Sequence, residues 1–96
     1  AYRLDELRLV AMELGLGAEL SLGHHEIVVG ELESAVEEHP YREQLWYLLI
    51  DALNHCGRRV EALRACARLR RVLAEVGVET ADELNSIEQA ILTGRQ

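Results

Sequence analysis

HPYREQLWYLLIDALNHCG, residues 39–57, decides the fold. Pro40 pushes His39 out of helical geometry and closes whatever precedes it. Tyr41 to Cys56 then runs without a breaker, and Gly57 supplies the left-handed residue on which helices commonly stop. Leu45, Leu49, Ala52, Leu53 and Cys56 recur at helical spacing, and Trp46 and Leu48 widen their apolar face. A face that wide predicts a central helix with neighbours before and after it.

Downstream, the spacing of Val60, Leu63, Cys66 or Ala67, Leu69, Val72 and Leu73 predicts a helix from about Arg59 to Glu75, stopped by Gly77. Upstream, a helix from His24 or His25 to Glu38 turns Val28, Leu32, Ala35 and Val36 inward. It leaves Glu31, Glu33, Glu37 and Glu38 as a solvated acidic face. The first helix is expected over about Leu4 to Leu22, with Leu4, Leu7, Ala11, Leu14, Ala18 and Leu22 as its buried stripe and Asp5 and Glu6 at the positive end of its dipole. Leu9, Leu16 and Leu20 fall off that stripe and are expected at the surface, with room for a dimer or a docked domain. Gly15 and Gly17 cost about 1 kcal/mol each inside a helix, so close approach of a neighbouring helix is the expected reason for them. In the last helix Thr80 and Glu83 form a capping box. Leu84, Ile87, Ala90, Ile91 and Leu92 supply its stripe, and Gly94 to Gln96 its fraying end.

Ninety-six residues suit one helical domain, 1–96, and a start at Ala1 reads as a piece of a longer protein. The net charge of −7 is uneven. Residues 1–57 hold eleven acidic and three basic residues; residues 58–71 hold six arginines and one glutamate. Such an acidic domain is repelled by phosphate, which argues against nucleic acid as its own ligand. No apolar run nears the ~18–20 residues that span a bilayer, and no signal peptide opens the chain, so a cytoplasmic setting without membrane contact is expected. Cys56 and Cys66 lack a paired spacing and read as reduced thiols. His24, His25, His39 and His55 form no i, i+4 pair, so no metal or cofactor is expected.

Gly23 and Gly57 are 34 residues apart, each between two helices of similar length. That is the period of tetratricopeptide repeats, in which antiparallel helix pairs stack into a curved array. Pro40, Trp46, Ala35 and Ala62 fall at positions that repeat favours, whereas Val28 and Cys66 depart from it. The fold class expected is therefore all-α: two antiparallel helix pairs plus a C-terminal helix capping the core.

Such an array offers a groove along the first helix of each pair, here helices one and three. Tyr47, Asp51, Asn54 and His55 share a polar face of helix three, making them the candidate surface for a peptide or a neighbouring domain beside the plainer reading as solvated residues. Arg64, Arg68 and Arg71, spaced i, i+4, i+7, form a basic stripe on helix four, with Arg58, Arg59 and Arg70 nearby. No aromatics interleave with it to stack bases, so pairing with acidic protein surface is favoured over DNA. No nucleophile–base pair, useful carboxylate pair or phosphate-cradling loop appears, and an enzyme is not expected.

The order of residues resembles the bacterial transcriptional activator domain of antibiotic-regulatory (SARP-type) regulators of actinobacteria. RLDELRLVAMELGLGAELSLG (3–23), GELESAVEEHPYREQLW (30–46), ALNHCGRRVEALRACARLRRVLAEVGVET (52–80) and DELNSIEQAIL (82–92) carry the resemblance, with EEHPYREQLW and GRRVEAL its most specific parts. Asn54 and Cys66 stand where that family commonly has tyrosine, and Thr80 where it has proline. The resemblance implies a tetratricopeptide-like regulatory module that follows a separate winged-helix DNA-binding domain. It also implies action through interdomain packing, dimerisation or contact with the transcription machinery. The competing assignment is a helical adaptor in a signalling ATPase or nucleotide cyclase with no DNA-binding role.

Overall fold

The computed structural model describes residues 2–79 and 82–94. They form five helices: α1 Tyr2–Ser21, α2 His25–Glu38, α3 Glu43–His55, α4 Arg59–Glu75 and α5 Asp82–Leu92. The molecule is a slab of 43 × 35 × 18 Å, and 18 Å is the depth of two helix layers. Thr80, Arg95 and Gln96, and with them one half of the expected capping box and part of the fraying end, lie outside the described residues.

The 34-residue period is written into the helix ends. His24 N–H donates to Glu19 O (3.0 Å) and Gly23 N–H to Leu20 O (3.0 Å); Arg58 N–H donates to Leu53 O (2.9 Å) and Gly57 N–H to Asn54 O (3.0 Å). This paired 6→1 and 5→2 closure needs a left-handed residue, and the φ of Gly23 is +85° and that of Gly57 +76°. The same closure recurs at Gly77. Each αα unit thus ends its first helix in one geometry, which sends the second helix back antiparallel.

The core centres on α3. Leu45, Leu49 and Ala52 are wholly buried, as are Leu32 of α2 and Ala62, Cys66 and Leu69 of α4. Ile50 and Val29 are buried as well, beyond the stripes read from sequence, because α3 is packed from both sides and α2 faces α1 as well as α3. Of the alternatives at α4, Cys66 points in and Ala67 out. Cys56 is only half-buried, and Val60 and Leu92, expected inside, are exposed at element ends.

α3 begins two residues later than the sequence predicts. Pro40 and Tyr41 make a turn, held by Trp46 Nε1–H donating to Pro40 O at 2.8 Å. Arg42 sits in extended backbone at the N-cap, which frees its side chain to cross to α1. There its guanidinium pairs with Glu13 at 2.7 and 3.0 Å and with Glu6. Those two carboxylates, Glu13 foremost, hold the guanidinium charged even more firmly than usual.

That clamp reverses the expected orientation of α1. Leu16 and Leu20 are buried, Leu9 and Met12 partly so, whereas Leu4, Leu7, Leu14 and Leu22 are 55–71% exposed. Leucines lie on two opposite faces of α1, so apolar content alone does not choose between them; the Arg42–Glu13 pair holds the face of Leu16 and Leu20 inward. Gly15 and Gly17 are likewise not explained by close packing. A Cβ added at either would meet nothing within 4 Å.

Two outcomes follow. Gly15→Ala and Gly17→Ala should each raise stability by about 0.5–1 kcal/mol in thermal melts, since helix propensity improves with no clash. Arg42→Ala removes a two-pronged, partly buried ion pair and should destabilise by about 1–3 kcal/mol. It should also expose α1 first to limited proteolysis.

Candidate docking groove

The structure brings Tyr47, Asp51, Asn54 and His55 together on the wall of one hollow. The opposite wall is not α1, as the groove expected between helices one and three would require. It is α5, through Ile87, Ala90 and Ile91, with Ile50 of α3 completing the lining. α5 thereby stands where the first helix of a third pair would stand. The hollow holds about 150 Å³. That is below the ~300–1,000 Å³ of small-molecule sites, and it suits one or two side chains of a macromolecular partner.

The polar wall is organised. Tyr47 O–H donates to Glu43 Oε1 at 3.4 Å, and His55 Nδ1 lies 2.9 Å from Asp51 O and 3.2 Å from Asp51 Oδ1. Partial burial pushes the Tyr47 phenol above its ordinary range, and the carboxylates of Glu43 and Glu83 add to that shift by disfavouring phenolate. Asp51 on this wall and Glu43, bonded to Tyr47, make the polar side of the groove acidic. Arg59 donates to Ile91 O (2.9 Å) and Leu92 O (3.1 Å), capping the C-terminal end of α5.

His25 and His55 stack face to face, centroids 4.6 Å apart and 5° from coplanar. The sequence held the signal for this contact. Each residue lies fifteen positions from Pro40 (40 − 25 and 55 − 40), so an antiparallel α2–α3 hairpin turning at Pro40 sets them opposite. The contribution of Ile87, Ala90 and Ile91 was legible only as a core stripe, because nothing local says which helix α5 faces.

The basic stripe is not a continuous free surface. Arg68 bonds Glu33 of α2 at 3.1 Å and lies 4.9 Å over the Trp46 ring. Arg64 and Arg71 are exposed and in no ion pair among the described residues, but Arg71 shares its hollow with Glu37 and Glu75. Nearby, Arg58 forks onto Glu61 (2.9 and 2.7 Å) and Arg70 onto Glu88 (2.8 and 2.7 Å). Burial raises the Cys66 thiol to about 11, leaving it protonated at neutral pH. Among the described residues no group of three or more His, Cys, Asp or Glu is arranged to hold a metal ion, and no helix is long and apolar enough to cross a membrane.

Paired helices closed by repeated glycine caps, a terminal helix on the open edge and a shallow groove define a tetratricopeptide-like domain. The chain belongs to the bacterial transcriptional activator domain family, which it matches over residues 1–92, and its relatives are of the SARP type. It is 44% identical over 91 residues to the regulatory protein AfsR of Streptomyces griseus, spanning 94% of this chain and 9% of that protein. It is 38% identical over 91 residues to the regulatory protein DnrI of Streptomyces peucetius, spanning 34% of it. The solved structure of Mycobacterium tuberculosis EmbR in complex with a low-affinity phosphopeptide superposes with a TM-score of 0.93 at 33% identity. That superposition covers 99% of this chain and 25% of EmbR. The chain thus spans at most about a third of these relatives.

Spectrophotometric titration checks the acidic side of the groove. Tyr47 should ionise above the ordinary tyrosine range. Glu43→Gln should lower the Tyr47 pKa without restoring it to the ordinary value, because burial is the larger cause.

Proposed function

We propose that the chain is a non-catalytic docking module of a SARP-type transcriptional activator. In this reading it packs against other domains of its parent regulator, a second copy or the transcription machinery, while a separate domain contacts DNA. The observation that carries the reading is the outer face of α1. Leu4, Leu7, Val10 and Leu14 are exposed along one side of a helix about 30 Å long, with Ala11 between them and Leu22 exposed in the turn just past its end. A contiguous apolar face of that kind marks an interface. The relatives support the regulatory part of the reading, being named regulatory or transcriptional regulatory proteins. The charge of −7 and the pairing of Arg58, Arg68 and Arg70 to glutamates support leaving DNA to another domain.

The test separates docking from folding. Leu7→Glu with Leu14→Glu should leave the thermal midpoint of the isolated chain nearly unchanged, since exposed positions are worth within about 0.5 kcal/mol. In a regulator carrying this chain, the same pair should abolish promoter activation. Full activation by that variant would overturn the proposal. A gel shift by the isolated chain at about 50 mM salt, lost when Arg64, Arg68 and Arg71 become alanine, would overturn the assignment of DNA to a separate domain.

A further inference from the structure

We propose that the groove between α3 and α5 seats an aliphatic side chain of a positively charged segment of a protein partner. The inference rests on the docking reading but uses a face separate from the α1 stripe.

Shape argues for the aliphatic anchor. Ile50 and Ile91 are buried beneath the hollow and Ile87 and Ala90 remain partly open to it, so a leucine-sized group entering there removes apolar surface from water on both sides. At about 150 Å³ there is room for such a group and none for a cofactor.

Charge argues for the cation. The wall presents Asp51, half exposed, and two turns back along α3 Glu43 bonds Tyr47, with Glu83 at the start of α5 also acting on that phenol. α3 ends at His55 beside the hollow, so the negative end of its dipole faces it. Arg59 meets the carbonyls of α5 and is thereby committed, while Arg70 is held by Glu88 and Asn85. Among the described residues no cation is bonded to Asp51 other than His55 when protonated, so an arginine or lysine of the partner flanking the anchor would meet that carboxylate. The acidic face of α2 is a poorer seat for a cation: the hollow that Glu37 shares with Val36, Trp46 and Val72 is also lined by Arg68 and Arg71. An apolar anchor beside complementary charge is the arrangement that gives an interface both affinity and register.

The experiment titrates the ¹⁵N-labelled chain with a helical leucine–arginine peptide and with its leucine–glutamate counterpart. The arginine peptide should shift the amides of Tyr47, Asp51, Asn54, Ile87 and Ala90, and the glutamate peptide should leave them unmoved. Asp51→Asn should weaken binding at least threefold. Ala90→Trp, which fills the hollow, should weaken it at least tenfold, with circular dichroism checking that helicity is retained. If Ala90→Trp unfolds, Asp51→Asn carries the test, since Asp51 is exposed and its loss leaves the core intact. Shifts centred on Glu31, Glu37 and Glu38, equal binding of both peptides, or no shifts would each overturn the inference. Shifts centred on the leucines of α1 would overturn it too while leaving the docking reading standing. Retained groove binding in the Leu7→Glu, Leu14→Glu chain would uphold it independently of that reading.

Discussion

The rest of the structure depends on the burial of α3 between α2 and α4. Leu45, Leu49, Ala52 and Leu53 have essentially no contact with water, and each large side chain among them contributes about 1.5–3 kcal/mol of burial. Satisfying two neighbours at once fixes the rotation of α3 about its axis. That rotation places Tyr47, Asp51, Asn54 and His55 on the side facing α5, and Arg42 on the side facing α1. The groove and the clamp are two results of one packing decision.

The two outer helices are held by other means. α1 and α5 each bury only one side, and each is tied to the core by an arginine: Arg42 to Glu13 and Glu6, Arg70 to Glu88, with Arg59 on the last carbonyls of α5. Bidentate guanidinium–carboxylate pairs add geometric specificity where apolar area is limited. This accounts for arginines concentrated in an acidic chain. Arg59, Arg68 and Arg70 tie α4 to its neighbouring helices, and the stripe that reads as a basic surface in one dimension is divided by glutamates in three.

The paired-helix fold was legible because its signals are local. Glycines at 23 and 57 need left-handed backbone, proline at 40 breaks the chain between units, and the stripes of α2, α3 and α4 recur at one helical period. The face of α1 was not legible. Leucines at 4, 7, 14 and 22 and at 9, 16 and 20 form two opposed stripes, and the residue that holds the second inward, Arg42, lies 29 positions beyond Glu13. Gly15 and Gly17 misled for the same reason, since their fit to close packing presumed a neighbour that this chain does not place there. Of the groove, the polar wall could be read as one face of a helix, whereas the apolar wall depended on how α5 docks. The His25–His55 stack was readable in principle, from the symmetry of the hairpin about Pro40.

If α3 anchors the fold and α1 is a one-sided helix kept for contact with another surface, local stability should fall from centre to edge. Native-state hydrogen exchange of the isolated chain measures this directly. The amides in the middle of α1 should show protection at least about tenfold lower than those of Leu49 to Leu53, through an opening that leaves α2 to α4 closed. Equal protection of α1 and α3, lost together only in global unfolding, would contradict the account.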